Sequence, residues 1–279
     1  PAVLSAIMKQ QCTERGRIVL NEGMDIHAGG AICLGYSNFL EKFYRSAPIG
    51  ITVEGSNTLT RSLIIFGQGL NKSHPYIFPI LDSVLNDDLN SFKTNFNNMV
   101  RHTLSMYFKS FSFRKDMQQQ MINFSNLTNF VALKGGKLKR EQMLSGDMAD
   151  IFSNLYLANS VYNYHLNFNS SKILTEYILK KLINENQIKI NRIIDNLGPE
   201  RFLLQHMKKN PKNISYEEER IVFNEIMNNK NIINEIQKNV YTENNILGDM
   251  IEYNDLSSVN VFDDDLNKKI INVGEYNNI

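Results

Sequence analysis

The sequence has no tryptophan, few cysteines, few prolines and no long apolar run. Its two cysteines, Cys12 and Cys33, exclude a disulfide-rich scaffold and favour a reducing, cytoplasmic setting. No cysteine or histidine spacing resembles a structural zinc site, so we predict no metal. The apolar runs are far shorter than the ~20 residues that a membrane-spanning helix needs, and no signal peptide is visible.

An excess of charge of either sign is also absent. Lys plus Arg number 30 and Asp plus Glu number 29, so the net charge is +1. This balance gives no field that would attract nucleic acid, and we expect no nucleic-acid partner. Three consecutive acids at residues 263–265 are expected to form a solvated turn rather than a cation site.

Helical periodicity is present from end to end, and no segment alternates with period two over several strands. We therefore predict an all-α fold of two packed helical regions. The Met, Phe and Tyr stripes favour core packing, with the wall of a tunnel for an apolar ligand as the alternative. Outside the stretches treated below, the predicted helices span residues 2–27, 75–85, 88–111, 115–133, 138–167, 171–197, 199–208, 215–227 and 231–240.

The chain is organised around residues 48–69, PIGITVEGSNTLTRSLIIFGQG. Pro48 is expected to stop the preceding helix, and residues 50–53 are β-branched and extended in character. Ser56 and the residues after it offer N-cap oxygens to a new helix. That helix is expected to end at the glycines of residues 67–69.

Glu54 places one carboxylate at the entrance of this helix, and Gly55 frees the backbone just after it. A carboxylate between apolar and small polar residues suits a general base that faces a cavity. The helix dipole also favours an acid at this place, so a surface glutamate without chemistry is the alternative. Arg61, on the same helix, is expected to lie on a solvated face.

A second candidate turn, Ala28-Gly29-Gly30-Ala31, follows the first predicted helix. Small residues here allow another backbone or a ligand to come close, and an ordinary helix C-cap is the alternative. Asn38 and Glu41 have the spacing of a capping pair for the next helix. His27 is expected to be a packed or capping residue, and we assign it no role.

Residues 48–69 resemble the catalytic-glutamate segment of the acyl-CoA dehydrogenases, above all the bacterial long-chain type that opens fatty-acid β-oxidation. The resemblance implies that Glu54 removes the α-proton of a fatty acyl-CoA while FAD accepts the β-hydrogen as hydride. The product would be trans-2-enoyl-CoA. It also implies that Gly55 contacts the substrate thioester and that Ser56 and Thr58 bind FAD.

Residues 24–49, MDIHAGGAICLGYSNFLEKFYRSAPI, resemble the glycine-rich FAD segment of the same family. This implies that Asp25, Gly29 and Gly30 contact the cofactor. Asp25 stands where many members have Gln. Ala28 and Ala31 each add a methyl group where the family brings its backbone close to FAD.

Residues 132–166, ALKGGKLKREQMLSGDMADIFSNLYLANSVYNYHL, resemble the extra C-terminal region of the bacterial members, as does the tail SSVNVFDDDLNKKI. The resemblance implies two domains: residues 1–70 end the catalytic helical bundle, and residues 71–279 form the bacterial-type region. The first residue is Pro and the β-domain pattern is missing. We therefore expect a C-terminal fragment or split-gene product that is incomplete as an enzyme by itself.

The resemblance also implies a set of partners. These are a fatty acyl-CoA substrate, the missing N-terminal and β-domain half, an electron-transfer flavoprotein and further copies of the chain. Peripheral association with the inner membrane stays open beside the cytoplasmic location. The alternative function is a degenerate helical interaction or assembly module without catalysis, which Ala28, Ala31 and the missing domains favour.

Overall fold

The structure is a computed structural model that describes residues 2–34, 38–112 and 114–238, together with residues 240 and 248. Every regular element within these ranges is helical, which confirms the predicted all-α class. The α-helices are α1 (Ala2–His27), α2 (Gly29–Ile32), α3 (Glu41–Thr52), α4 (Asn57–Leu59), α5 (Gly69–Ser73), α6 (Ile77–Leu85), α7 (Leu89–Lys109), α8 (Asp116–Ala132), α9 (Gln142–Phe168), α10 (Lys172–Asn196), α11 (Arg201–Leu204), α12 (Tyr216–Asn228) and α13 (Lys230–Gln237).

Three further segments have other helical geometries. A π-helical segment, Thr60–Gln68, joins α4 to α5, and 3₁₀ turns occupy Gly135–Lys139 and Gln205–Met207. π-Helices are rare and are usually single turns, often at functional sites. A continuous helix therefore covers residues 57–73, with the π-helical segment as its middle.

The longer helices begin and end within a few residues of their predicted bounds, because the signals that set these bounds are local. Asp88 caps α7 by accepting from the backbone N–H groups of Asn90 (3.1 Å) and Ser91 (3.0 Å). The backbone N–H of Glu218 donates to the Ser215 hydroxyl, and the Glu218 carboxylate accepts from the Ser215 N–H, which completes a capping box at α12.

The predicted stop at Pro48 is wrong, because α3 continues through it to Thr52. Residues 50–52 are helical, and only Val53 is extended. Local hydrogen bonds continue the helix past Pro48, since the Val53 backbone N–H donates to the Ile49 carbonyl oxygen at 3.0 Å. The Thr52 hydroxyl also donates to the Pro48 carbonyl oxygen at 2.9 Å.

The predicted end at residues 67–69 is also wrong, since the 57–73 helix ends at Ser73. Gly69 serves close packing rather than termination. A Cβ at Gly69 would lie 3.3 Å from Val3 Cγ1, so the glycine lets α1 approach the backbone here. Glycine tolerated inside a helix for packing costs about 1 kcal/mol in intrinsic propensity.

The described residues form two compact units, one within residues 2–9 and 57–232 and the other within residues 10–34, 38–56 and 233–238. This division does not test the boundary predicted from the resemblance at residue 70, which remains a prediction. The core of the first unit lies between α8, α9, α10 and the π-helical segment. Its fully buried side chains include Ile7, Ile65, Leu127, Met148, Ile151, Ile190, Ile193, Ile194 and Leu204.

Three sequence expectations concern membranes, metals and the acidic tail. Among the described residues, no helix combines the length and apolar character needed to cross a bilayer. The same residues contain no group of three or more His, Cys, Asp or Glu side chains able to hold a metal ion. The predicted acidic turn at residues 263–265 and the tail motif around it lie outside the described residues.

Candidate functional site

Glu54 and Gly55 form a sharp turn between α3 and the 57–73 helix. Both have positive φ, 55° at Glu54 and 87° at Gly55, after the extended residue Val53. The Glu54 side chain is exposed, and the next helix begins at Asn57. The turn therefore places an exposed carboxylate three residues before the start of the next helix, and Glu54 does not line the described cavity that the sequence expects it to face. We call this turn the Glu54 turn.

Backbone strain distinguishes this turn from most others. Four described non-glycine residues have positive φ: Ala28 (46°), Glu54 (55°), Asp87 (53°) and Asn169 (48°). Asp and Asn adopt this conformation readily because their short polar side chains bond locally. Ala and Glu do not, and each costs about 1–2 kcal/mol there. The two strained residues thus lie in the two turns that the sequence predicts to be functional.

The Ala28 turn connects α1 to α2, and its exposed face fits close approach by a ligand. Cβ atoms built on Gly29 and Gly30 would meet no described atom within 4 Å, and both glycines are exposed. Ala31 is only 3% exposed, so its methyl group is buried and does not narrow that face. Asp25 is exposed one turn earlier on α1. The exposed glycines leave room for close approach by a ligand, whereas the Asp25 carboxylate would repel an anionic group placed next to it.

Asn38 ties the Ala28 turn to α3. Its Oδ1 accepts from the Glu41 backbone N–H at 3.0 Å, but α3 begins at Glu41 with Leu40 as its N-cap, so Asn38 lies ahead of the cap position predicted for it. Its Nδ2 donates to the carbonyl oxygens of Ala31 (2.7 Å) and Cys33 (3.0 Å). His27 contacts the Phe39 ring edge-on with centroids 5.0 Å apart, in the packing role expected for it.

Ser56 and Thr58 follow the Glu54 turn directly. Ser56 is half-buried and Thr58 is exposed, and the Thr58 carbonyl oxygen accepts from the Ser62 hydroxyl at 2.6 Å. The chain thus keeps Glu54, Gly55, Ser56 and Thr58 within five consecutive positions. Their roles, and those of Asp25, Gly29 and Gly30, remain predictions.

Arg61 corrects the sequence analysis, because it lies in an ion-paired cluster rather than on a solvated face. Its Nε and Nη2 donate to the two carboxylate oxygens of Asp150 at 2.7 and 2.6 Å. Lys189 also reaches Asp150 at 2.7 Å, and Arg192 Nε donates to Asp147 at 2.6 Å. The hydrogen bond to Asp150 raises the pKa of Arg61, against the opposing effect of burial.

We call these five side chains the Arg61 cluster. Helical periodicity missed the cluster because its members lie on three separate elements, the π-helical segment, α9 and α10. Paired carboxylates one helical turn apart, Asp147 and Asp150, were the available signal. The cluster fixes one face of the 57–73 helix.

The 57–73 helix also contributes to a second candidate site, a cavity of about 1120 Å³ in the first unit. The end of the 57–73 helix, α6, α7, α8 and the 135–139 turn form its walls. The aromatic stripes expected to fill a core instead line this cavity in part, which fits the alternative of an apolar tunnel. The lining residues from those stripes are Phe92, Phe96, Met99, Val100 and Phe130.

Two comparisons with known proteins place the chain. Residues 111–271, more than half of the chain, match the family "Acyl-CoA dehydrogenase, C-terminal, bacterial type". The fold is similar to a crystal structure of acyl-CoA dehydrogenase complexed with FAD from Bacillus anthracis, with a TM-score of 0.58 and 19% identity. The match covers 81% of this chain and 39% of that one, so this chain spans about two fifths of its length.

Proposed function

The chain belongs to the acyl-CoA dehydrogenase family, in its C-terminal bacterial type, and on that premise we propose that Glu54 is a catalytic base. Glu54 would accept the α-proton of a fatty acyl-CoA. FAD, when bound, supplies the acceptor for the β-hydride, and the product would be the trans-2-enoyl-CoA. The reaction would be the first step of fatty-acid β-oxidation.

The observation that supports this role is the strained, exposed backbone of Glu54 itself. Glycine would adopt φ 55° with less backbone strain than glutamate. The protein therefore keeps a carboxylate at a position where glycine would make the fold more stable. Strained residues of this kind cluster at functional sites. The alternative of an ordinary surface glutamate explains the exposure of Glu54 but not its strain.

The neighbours of Glu54 suit proton abstraction from a thioester. A carboxylate is a weak base in water and becomes stronger when an acyl chain excludes solvent. Val53 and Leu59 are 49% and 45% exposed, so each offers apolar surface to a substrate. The proposed role of Gly55 is close backbone approach to the thioester carbonyl, where hydrogen bonds would stabilise the developing enolate.

Cofactor and partners form the second part of the proposal. Ser56 and Thr58 would hold FAD beside Glu54, while Asp25, Gly29 and Gly30 would contact its adenosine and pyrophosphate end. The remaining portion of the enzyme, an electron-transfer flavoprotein and further copies of the chain are the proposed partners. The 39% coverage of the Bacillus anthracis protein supports the need for a companion segment.

The visible absorption spectrum tests the proposal. We would purify the chain alone and co-expressed with the protein segment encoded immediately upstream. Flavin bands that bleach on addition of a long-chain acyl-CoA, in the co-expressed sample, are the expected result. Glu54→Gln should keep the flavin and abolish bleaching, whereas Glu22→Gln, a change on an exposed part of α1, should keep both.

Two results would contradict the proposal. Bleaching that survives in Glu54→Gln would remove the catalytic role from this residue. The absence of flavin from both preparations would favour a helical assembly module without catalysis.

A further inference from the structure

We propose that the 1120 Å³ cavity binds a single long apolar chain with an anionic head, as in a long-chain fatty acid. The proposal goes beyond dehydrogenation, because Glu54 does not line the cavity and no step of that reaction requires it. Three observations support it: the size and character of the walls, an unpartnered buried donor, and an unpaired cation.

The cavity is large enough for a long chain, since drug-sized ligands occupy pockets of about 300–1,000 Å³. Apolar side chains form most of its wall. They come from α6 and α7 on one side and from α8 and the 135–139 turn on the other. The apolar liners include Ile77, Ile80, Leu81, Phe96 and Leu104.

Asn129 provides the unpartnered donor. It lines the cavity, is only 7% exposed, and its Nδ2 has no hydrogen-bond partner among the described residues. Its orientation follows from His74: the Tyr76 backbone N–H donates to His74 Nδ1 at 3.3 Å, which leaves the ring proton on Nε2. Nε2 then donates to Asn129 Oδ1 at 3.0 Å, so the amide nitrogen is the free end.

A buried donor without a partner costs about 1–3 kcal/mol, and a ligand oxygen that accepts from it would recover that cost. A carboxylate or ester oxygen has this property. A helix that docks along its length offers few such acceptors, because only the carbonyl groups of its last turn lack a partner within the helix. The single donor therefore favours a chain with one polar end over a partner helix.

Lys139 supplies the charge. It is exposed, lines the cavity, and forms no ion pair with any described residue. Asn129, near the end of α8, and Lys139, in the 135–139 turn that follows, both line the cavity and are the two proposed contacts of the head group. The apolar liners of α6 and α7 then remain for the chain.

A tryptophan reporter tests whether a fatty acid enters the cavity. The chain has no tryptophan, so Phe96→Trp introduces one fluorophore among the liners. Dibrominated stearate, whose bromines quench tryptophan on contact, should quench this reporter in a saturable way. The control reporter is Phe223→Trp on α12. The native Phe223 is 62% exposed and does not line the cavity. Equal quenching of both reporters would indicate surface adsorption and overturn the proposal.

Substitutions of lysine by glutamate test whether the cavity binds an anionic head group. Stearate affinity is measured by displacement of the brominated probe. Lys139→Glu should weaken binding at least tenfold, and Lys137→Glu, in the same turn but not among the liners, less than threefold. An equal loss of affinity in the two variants would show that only the overall positive charge of the turn attracts the ligand, without a specific contact from Lys139. Octadecanol that displaces the probe as well as stearate would overturn the anionic head.

Two further measurements complete the test. Asn129→Asp keeps the oxygen that accepts from His74 and replaces the donor by an acceptor, so binding should weaken at least tenfold. Because that variant adds a buried carboxylate and can fail to fold, the series of saturated acids provides an independent test. Each added methylene should tighten binding about fourfold until the cavity is full. Affinity that does not depend on chain length would overturn the proposal.

Discussion

The Arg61 cluster and the two positive-φ turns differ in how their local energetic costs are compensated. In the cluster, Asp147 is 3% exposed, and three cations on two other elements surround it and Asp150. Desolvation of these carboxylates is offset by ion pairs and hydrogen bonds that the fold brings together. Removing Asp147 leaves Arg192 without its ion-pair partner, while Arg61 and Lys189 keep Asp150.

The turns show the opposite arrangement. Ala28 and Glu54 adopt costly backbone conformations at exposed positions, where burial of their side chains supplies no compensation. On the proposed function, the cluster contributes to stability and the two turns contribute to binding and catalysis. Substitutions in the cluster should therefore destabilise the protein, and substitutions that relieve the turns should stabilise it.

The largest effect is expected from Asp147→Asn. The change removes the buried charge that Arg192 contacts and that Lys189 approaches at 3.6 Å. We expect a loss of about 3 kcal/mol in the free energy of unfolding, measured by urea denaturation. Asp195→Asn is the control, because its pair with Lys208 is exposed and should contribute less than about 1 kcal/mol. Equal effects of the two changes would contradict the special role of the cluster.

Gly146→Ala should be the next most harmful change. A Cβ at Gly146 would lie 2.5 Å from Arg61 Nη1 and 2.9 Å from its Cζ, so the guanidinium must leave its position. We expect a loss of about 2 kcal/mol, because the two hydrogen bonds to Asp150 depend on that position. Gly16→Ala, inside α1 with no described atom near the added Cβ, should instead gain up to about 1 kcal/mol.

At the turns, Ala28→Gly is expected to stabilise the protein. Ala28 has φ 46° and ψ −125°, a region that glycine enters freely and that L-residues avoid. We expect a gain of about 1.5 kcal/mol, as a higher urea midpoint at an unchanged slope. Asn169→Gly should change stability by only a few tenths of a kcal/mol, because Asn tolerates its αL conformation. On the proposed function, Ala28→Gly should also raise flavin content in the co-expressed preparation.

Glu54→Gly should separate stability from activity. We expect a gain of about 1 kcal/mol from relief of strain together with complete loss of acyl-CoA-dependent bleaching. Glu54→Gln retains the strained backbone and should lose the activity without the gain. A destabilised Glu54→Gly protein would show that this turn is held by side-chain contacts, which would weaken the comparison.

These expectations also show what the sequence could predict. The bounds of α7 and α12 followed from Asp88 and Ser215, because a cap acts on backbone groups two or three residues away. The position of Glu54 at a helix entrance followed from the same kind of local signal. Its strain did not, because φ depends on how the flanking helices are held.

Features that require distant partners were missed. Pro48 was expected to end its helix, but α3 continues past it to Thr52, whose hydroxyl donates to the Pro48 carbonyl oxygen. Arg61 resembled an exposed residue because its partners lie on α9 and α10. The cavity depends on the arrangement of five elements, so the stripes in the sequence indicated its liners but not the space between them.

The smallest effect concerns the N-terminus of α12, where the exposed Glu218 carboxylate contacts Lys180 on α10 and the Ser215 cap. The pKa of Glu218 falls from its ordinary 4.5 to about 2, first because Lys180 donates to it at 2.5 Å and then because the Ser215 N–H donates. A lowered folded-state pKa means that this carboxylate stabilises the protein above pH 4.5. That contribution is lost as the pH falls towards about 2.

Glu218→Gln should therefore flatten the decline of stability between pH 4.5 and about 2, followed by helical circular dichroism across a pH series. Glutamine preserves the capping box, so the helix itself should remain. Glu217→Gln, whose partner Arg220 is on the same exposed face, should leave the acid profile unchanged. An identical profile in wild type and Glu218→Gln would show that the Lys180 contact contributes nothing to stability in solution.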